Sequence, residues 1–291
     1  MMKTLDHCVN SSEHMNDPLV LGRDFVGEVL SVGRDVAHVE PGDRVWGVLH
    51  PSEQGSFTQH CVAGVSGVSA APESVSPVQS VSIPYCGLTG WSALQCAGVR
   101  RGQHVVVVGG AGGVGTLVTQ LLSRYYHCQV TVLASSRHHA MLQQLGAETT
   151  IDNREDPAFA QNIEKADSII DCAGIGVENI RLHLPSLYNM LRPGGSFVTL
   201  TSPVLRNTDS QGLIPGAISS LSSIISHNCA VSGHFSLKWA FFQPDIKALK
   251  LLKNLLDDGT VVPVIGKVIK FDELPEHLDN VKEGKIVVDI N

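Results

Sequence analysis

Residues 104–115 read HVVVVGGAGGVG, and the architecture of the 291-residue chain is best understood outward from this point. The stretch opens with four consecutive valines, a run typical of a parallel strand buried on both faces of a sheet. Glycines at 110, 112 and 115 then give the spacing G-x-G-x-x-G, directly after that strand and before a helical pattern. A strand, this glycine spacing and a helix, in that order, predict a dinucleotide-binding turn.

Strands and helical segments alternate on the carboxyl side of this turn. Val130–Ala134, Ser168–Cys172 and Ser196–Leu200 are strand-like runs with helical patterns between them. Such alternation indicates βαβ units and a doubly wound parallel sheet. The first hundred residues differ, because short strand patterns such as Gly55–Val62 lie between glycine and proline turns. The fold class is therefore predicted as α/β, with a second, smaller β-rich domain.

Composition excludes several classes of function. Apolar residues make up 43% and charged residues 17%, which excludes global disorder. The net charge of −7 argues against a nucleic-acid partner. Seven cysteines, an odd number without a C-x-x-C pair, favour reduced thiols over a disulfide scaffold or zinc ribbon. No apolar run reaches the ~18 residues of a membrane-spanning helix.

The glycine loop has a defined chemical use. Its first glycine allows a tight turn, and the next lets the backbone approach a pyrophosphate. The helix that follows presents unpaired N–H groups and the positive end of its dipole to the phosphates. The alternative is a tight strand-to-helix turn without a ligand. The predicted cofactor contacts in the loop are Gly110, Ala111, Gly112, Gly113, Val114 and Gly115.

The end of the second strand indicates which dinucleotide is bound. An NAD site normally places an acid about 20 residues after the loop, where it binds the ribose hydroxyls. Here the strand ends in Ser135, Ser136 and Arg137, without an acid. Two hydroxyls and a guanidinium can donate hydrogen bonds to a 2′-phosphate, which an acid would repel. The sequence therefore predicts NADPH, with a serine that merely caps the next helix as the alternative.

Several segments resemble the zinc-free quinone oxidoreductase branch of the medium-chain dehydrogenase/reductase superfamily. Within that branch the chain is similar to the reticulon-interacting group. The resemblance covers about residue 19 to the end, and the glycine loop is its generic part. The matching segments are LGRDFVGEV at 21–29, PGDRVWGV at 41–48, IPYCGLTGWSAL at 83–94, LGAETTID at 145–152, ADSIIDCAG at 166–174, LRPGGSFVTL at 191–200, WAFF at 239–242 and GKIVV at 284–288.

The resemblance implies a domain division and a mode of catalysis. It implies a doubly wound Rossmann domain that binds NADPH at residues 99–242, and a partial GroES-like β-rich substrate domain at 1–98 and 243–291. Zinc-dependent relatives carry Gly-His-Glu where this chain has Gly22-Arg23-Asp24. Arginine cannot ligate zinc, so no metal is expected. Arg23 and Asp24 are expected either to touch substrate or to pair with each other.

The resemblance also implies individual site residues. Leu200 and Thr201 should lie near the nicotinamide, and Lys285 should reach the cofactor phosphates. Asn153 replaces a tyrosine that packs near the adenosine phosphate in relatives. Tyr85 is the candidate catalytic residue, because a phenol can stabilise negative charge on a carbonyl oxygen. A tyrosine in the domain interface is its alternative role.

Two functional hypotheses follow. The first is zinc-independent, NADPH-dependent reduction of a quinone or enone by hydride transfer. The second is a catalytically impaired nucleotide-binding interaction protein, favoured by a front that is shorter than in relatives. The resemblance implies a mitochondrial location, although the chain as given shows no transit peptide and would otherwise be cytoplasmic. It also implies a reticulon-type membrane protein and a second copy of the chain as partners.

Overall fold

The chain divides into two compact units in the computed structural model. One unit comprises Met1–Leu88 and Phe242–Asn291, and the other comprises Thr89–Phe241. The predicted assignment of a substrate domain and a cofactor domain to particular ranges stays a prediction, and each unit is described below by its own residues. The structure describes residues 20–152, 154–155, 163–173, 189–201, 212, 215, 218–219, 222, 235–277 and 285–290.

The first unit opens with a three-stranded antiparallel sheet. Its strands are β1 (Asp24–Glu28), β2 (Arg44–Val48) and β3 (Val68–Ala70), in the order β1-β2-β3. Strand β2 lies between the other two, and Trp46 at its centre is fully buried. The segment Gly55–Val62, predicted as a further strand, is irregular. It departs from the prediction because Gly55, Ser56 and Phe57 donate hydrogen bonds to the carbonyls of residues 20–22 in an irregular pattern that forms no ladder.

The second unit is built on a six-stranded parallel sheet. Its strands are β4 (His104–Val108), β5 (Gln129–Leu133), β6 (Thr149–Ile151), β7 (Ala166–Asp171), β8 (Leu191–Thr199) and β9 (Phe235–Trp239). Their spatial order is β6-β5-β4-β7-β8-β9, and every pairing is parallel. From β4 the chain adds β5 and β6 on one side of the sheet. It then crosses to the other side of β4, where it adds β7, β8 and β9. The predicted α/β class, with a doubly wound parallel sheet and a smaller β-rich unit, is confirmed.

The valine run that opens the parallel sheet explains its stability. Residues Val105, Val106 and Val107 are fully buried, as expected for a strand covered on both faces. Ile169 on β7 and Phe197 on β8 join the same core and are also fully buried. At about 25 cal/mol per Å² of apolar surface, these strands supply much of the free energy that holds the sheet together.

The described helices lie before, between and after the strands of the parallel sheet. The described helices are Pro77–Val81, Pro84–Ala97, Gly113–Gln120 with its π-helical continuation Leu121–Tyr125, His139–Gln144, Ile246–Asp257 and Leu274–His277. The predicted helices near residues 157–163 and 178–191 lie almost entirely outside the described residues. Among the described residues, none forms a helix with the length and apolarity needed to cross a membrane.

The chain returns to the first unit through an amphipathic helix. Leu249 and Leu252 of the helix Ile246–Asp257 are fully buried. After this helix, β10 (Ile265–Lys270) pairs in parallel with β11 (Lys285–Asp289). The first unit is therefore assembled from both ends of the chain.

Asp257, at the end of this helix, fixes the loop that follows β3. Its Oδ1 atom accepts hydrogen bonds from the backbone N–H groups of Glu73 at 2.9 Å and Ser74 at 3.0 Å. Its Oδ2 atom lies 2.6 Å from the Lys253 ammonium. Burial alone would raise the pKa of Asp257, but these donors together hold it well below its ordinary value.

We expect this depressed pKa to make stability depend on acid pH. The ionised carboxylate contributes stability above its unfolded pKa of about 3.9, and the contribution is lost as the pH falls below that value. Replacing Asp257→Asn should lower the free energy of unfolding by about 1 kcal/mol at pH 7. The difference from the unaltered chain should shrink in urea unfolding at pH 3. Asp258→Asn, at the neighbouring turn, is the control, and an equal loss in both variants would contradict the assignment.

Candidate functional site

The predicted glycine turn joins β4 to the helix Gly113–Gln120. Gly109 has a φ of +75°, a conformation that residues with a side chain rarely adopt. Its N–H group donates to the carbonyl of Leu133 at 2.9 Å, which ties the turn to the end of β5. The N–H group of Gly112 donates to the Gly109 carbonyl at 3.3 Å and closes the turn. The helix then begins with Gly112 at its N-cap.

The three glycines of the motif have different steric roles. A methyl group on Gly110 would overlap Val132 of β5, and one on Gly115 would overlap the Gly109 carbonyl oxygen. A methyl group on Gly112 would lie in ordinary contact, 3.6 Å from that same oxygen. Gly110 and Gly115 are therefore required by packing, whereas Gly112 leaves the helix N-terminus open. The first N–H groups of a helix have no intrahelical acceptor, so the residues present fit a dinucleotide pyrophosphate.

The segment after β5 combines donors with carboxylates that the sequence analysis did not anticipate. Ser136 donates its backbone N–H to Asp152 Oδ2 at 2.8 Å, and its hydroxyl to Glu155 Oε1 at 3.4 Å. Arg137 Nε donates to His138 Nε2 at 3.0 Å. The structure therefore brings two acids from the loop after β6 to the segment predicted to recognise a 2′-phosphate.

The carboxylate of Asp152 is held ionised at this position. Its pKa lies below the ordinary value, because the backbone N–H groups of Ser136 and Arg154 donate to it. Ser135, at the N-cap of the 3₁₀ turn Ser136–His138, makes no side-chain capping hydrogen bond. The alternative role of Ser135 as a helix cap therefore does not account for its presence.

The remaining predicted cofactor residues follow the carboxyl ends of the sheet strands. Leu200 and Thr201 come directly after β8, and the N–H of Leu200 donates to the Asp171 carbonyl at 3.2 Å. Parallel strands present their carboxyl ends at one edge, where open α/β sheets bind ligands. Asn153 lies outside the described residues.

The first unit contains a cluster around Tyr85. The backbone N–H of Tyr85 donates to Asp24 Oδ1 at 2.5 Å, and the Lys285 ammonium lies 2.5 Å from Asp24 Oδ2. The same ammonium lies 5.8 Å from the centre of the Tyr85 ring and 3.8 Å from Cys86 Sγ. The ring stacks on Phe242, with centroids 4.5 Å apart. Asp24 therefore holds both Tyr85 and Lys285.

This environment fixes the charge states of Tyr85 and Lys285. Burial raises the pKa of Tyr85, and the neighbouring Cys86 and Asp24 raise it further, while Lys285 opposes them. Burial alone would lower the pKa of Lys285, but the Asp24 carboxylate raises it above its ordinary value. At neutral pH the cluster therefore contains a phenol that can donate a proton and a permanent ammonium. Burial raises the pKa of Cys86, so its thiol is a poor nucleophile.

Arg23 stands at the position where the resemblance implies a histidine in zinc-dependent relatives. Its guanidinium donates to the backbone carbonyls of His50 at 2.9 Å, Pro51 at 3.1 Å and Glu53 at 2.8 Å. The carboxylate beside it, Asp24, pairs with Lys285. Across the described part of the chain, no group of three or more His, Cys, Asp or Glu residues could hold a metal ion.

Comparisons with known proteins place this arrangement in a family. Residues 2–85 match the family model described as "Alcohol dehydrogenase GroES-like domain", and residues 145–288 match "Zinc-binding dehydrogenase". The protein "NAD(P)H oxidoreductase RTN4IP1, mitochondrial" of Danio rerio is 35% identical over 279 residues, 92% of this chain and 70% of that protein. The chain belongs to the reticulon-4-interacting group of the medium-chain dehydrogenase/reductase superfamily.

Two further matches support this membership. "Reticulon-4-interacting protein 1, mitochondrial" of Caenorhabditis elegans is 28% identical over 284 residues, 93% of this chain and 76% of that protein. The solved quinone oxidoreductase from Coxiella burnetii superposes with a TM-score of 0.75 at 27% identity, covering 95% of this chain and 81% of that one. The predicted resemblance to the medium-chain dehydrogenase/reductase superfamily is confirmed.

Sequence reasoning did not identify the centre of the Tyr85 cluster in this family member. Lys285 was predicted to contact phosphates, and Asp24 was considered only as a partner of Arg23 or of substrate. The structure pairs Lys285 with Asp24, which stands 261 positions earlier in the chain. A charge pair at this separation leaves no periodic signal in the sequence.

We expect the two steric classes of glycine to respond differently to substitution. Gly115→Ala should lower the free energy of unfolding by about 1–3 kcal/mol, because the added methyl overlaps a backbone oxygen. Gly112→Ala should change it by less than about 0.5 kcal/mol, since its methyl meets only an ordinary contact. Urea unfolding of both variants measures the difference. Equal losses would contradict the assigned roles.

Proposed function

We propose that the chain is an NADPH-dependent oxidoreductase that reduces a quinone or another conjugated carbonyl without a metal ion. The observation that carries this proposal is the glycine turn, whose packing leaves the helix N-terminus open at Gly112. Membership of a family whose relatives are named NAD(P)H oxidoreductases supports the nicotinamide cofactor. The likeness to a solved quinone oxidoreductase supports the substrate class.

Each predicted cofactor residue has a place in this proposal. Residues 110–115 bind the pyrophosphate, while Ser135, Ser136 and Arg137 bind the 2′-phosphate. Leu200 and Thr201 flank the nicotinamide, and Asn153 donates or accepts a hydrogen bond near the adenosine phosphate. The bound cofactor supplies the hydride. The protein binds, orients and keeps water away from the reacting groups.

Lys285 keeps its proposed phosphate contact together with its ion pair. An ammonium has three N–H donors. Among the described residues its acceptors are Asp24 and Cys86, which leaves one donor for a phosphate oxygen. The Asp24 carboxylate keeps the ammonium charged, so the contact persists at any physiological pH.

Tyr85 is proposed to donate a hydrogen bond or proton to the substrate carbonyl oxygen. Its raised pKa keeps the phenol protonated, which favours donation of a hydrogen bond over full transfer of the proton. The stacked ring of Phe242 and the backbone hydrogen bond to Asp24 restrict its orientation. A preorganised donor of this kind stabilises negative charge that develops on oxygen in the transition state.

The metal-free part of the proposal rests on Arg23. Zinc catalysis requires an open metal site with nitrogen, sulfur or carboxylate ligands. Arg23 instead carries a guanidinium engaged by three backbone carbonyls. The proposed reduction needs no Lewis acid, since a phenol can stabilise the substrate oxygen.

The names of the relatives favour a second candidate function. The nematode relative is named a reticulon-4-interacting protein, which supports binding to a reticulon-type membrane protein. In this alternative the chain binds nucleotide but does not turn over substrate. We also propose a mitochondrial location, because the relatives are named mitochondrial. Association into a homodimer stays a prediction.

The decisive experiment measures binding and turnover side by side. NADPH is titrated against the purified protein by fluorescence, and NADPH oxidation is followed with a panel of quinones and enones. Binding with turnover supports the oxidoreductase, and binding without turnover favours the interaction protein. The absence of a binding signal would overturn both.

Arg137 provides a test of cofactor preference. We expect Arg137→Ala to weaken NADPH binding about tenfold or more, because a charge-assisted hydrogen bond to the 2′-phosphate is lost. The affinity for NADH should stay within about twofold, since NADH lacks that phosphate. Arg101→Ala, at an exposed arginine, is the matched control. If the unaltered protein binds NADH as tightly as NADPH, the argument from residues 135–137 is wrong.

Tyr85 provides a test of the chemical step. We expect Tyr85→Phe to lower kcat about a hundredfold, because the hydroxyl that stabilises the substrate oxygen is removed. The dissociation constant for NADPH should not change, since the ring and its stacking on Phe242 remain. Tyr126→Phe, a half-buried tyrosine of the second unit, is the control. An unchanged kcat would assign Tyr85 to packing alone.

A further inference from the structure

The carboxyl ends of β7 and β8 carry a buried polar pair. Asp171 is the last residue of β7 and Thr199 is the last residue of β8, and the sheet register places them opposite each other. Both side chains are fully buried. The Thr199 hydroxyl donates to Asp171 Oδ2 at 2.8 Å, which joins the two strand ends through their side chains.

This pair also fixes the backbone that leaves each strand. The N–H of Thr201 donates to Thr199 Oγ1 at 3.2 Å. The N–H of Ala173 donates to Asp171 Oδ1 at 3.1 Å. The N–H of Leu200 donates to the Asp171 backbone carbonyl at 3.2 Å. One carboxylate and one hydroxyl therefore determine the course of two adjacent segments.

The same network reaches the glycine turn. Ala173 packs so tightly on Gly109 that a methyl group there would lie 2.8 Å from both the nitrogen and the Cβ of Ala173. Strands β4 and β7 are neighbours, and the strand order of the sheet reverses between them. Open α/β sheets bind their ligands at this reversal, outside the carboxyl ends of the strands. The pair thus connects the proposed pyrophosphate turn to the segment proposed for the nicotinamide.

Holding the two strands together does not by itself require a buried carboxylate. Within the same two strands, three positions before this pair, Ser168 and Ser196 join β7 to β8 through neutral hydroxyls 3.0 Å apart. Burying a carboxylate costs far more free energy than burying a hydroxyl. The Asp171 carboxylate stands at the carboxyl end of β7, where open α/β sheets bind their ligands and the backbone must have a defined conformation.

We infer that Asp171 and Thr199 are positioning residues for the nicotinamide half of the cofactor. They act through the backbone N–H groups of Thr201 and Ala173, which their side chains hold by hydrogen bonds. The inference rests on the proposed function, because it requires a nicotinamide nucleotide at this edge of the sheet. It predicts that loss of the pair weakens binding of the nicotinamide half of the cofactor and leaves binding of the adenosine half unchanged.

The test compares two ligands on matched variants. The dissociation constants of NADPH and of 2′,5′-ADP, which contains only the adenosine half, are measured for Thr199→Val. We expect the ratio of the NADPH constant to the 2′,5′-ADP constant to rise about tenfold, the effect of one or two lost hydrogen bonds. In turnover assays kcat should fall as well, because the nicotinamide is misplaced relative to the substrate.

Control variants separate positioning from general stability. Thr199→Ser keeps the hydroxyl and should restore the ratio to within about threefold of the unaltered chain. Ser196→Ala removes the neutral hydroxyl pair inside β7 and β8, which makes no hydrogen bond to residues 173 or 201, so it should leave the ratio unchanged. If Thr199→Val does not fold, Asp171→Asn is measured instead. The same rise is expected, because an amide has a single acceptor oxygen and cannot accept from both the Thr199 hydroxyl and the Ala173 N–H.

Four results would overturn the inference. If Thr199→Val weakens both ligands equally, or Ser196→Ala shifts the ratio as much, the pair only stabilises the sheet. If Thr199→Val leaves both dissociation constants unchanged, the pair does not act on the nicotinamide. If the unaltered chain binds neither ligand, the proposed function fails and the inference fails with it.

Discussion

The second unit depends on one steric constraint. The helix Gly113–Gln120 packs directly against the glycine turn that precedes it. Gly115 can stand where it does only because no side chain separates it from the Gly109 carbonyl oxygen. That contact aims the helix N-terminus along the carboxyl edge of the sheet. The strands that follow are parallel to β4, so their carboxyl ends, including Leu133 of β5 and Thr199 of β8, lie at this same edge. The candidate nucleotide site is thus a consequence of backbone packing.

Sequence reasoning succeeded where structure is determined locally. A run of four valines and the three glycines of the G-x-G-x-x-G motif, all within residues 104–115, were enough to predict a buried strand and a tight turn, and the later alternation of strands and helices predicted the doubly wound sheet. It failed for Gly55–Val62, because an alternating pattern does not specify a pairing partner. That segment bonds to the residues before β1, and Val62 is 90% exposed.

The candidate site was predictable in part for the same reason. Positions in the glycine loop follow from spacing, whereas the charge environment does not. Asp152 reaches Ser136 across a strand connection, and Lys285 reaches Asp24 across nearly the whole chain. Both contacts depend on tertiary folding, and both change the chemistry that the sequence alone suggests. The carboxylates of Asp152 and Glu155 lie beside Ser136. The preference between NADPH and NADH therefore depends on how the Arg137 charge balances these two negative charges.

The Asp24–Lys285 pair has a consequence for synthesis on the ribosome. Asp24 is made 261 residues before its counter-charge, Lys285. The second unit is continuous in sequence and can fold as soon as residue 241 has left the exit tunnel. The first unit cannot complete this charge pair until residue 285 has been made. Newly made chains therefore pass through a state in which the second unit can be native while Asp24 still lacks its counter-charge.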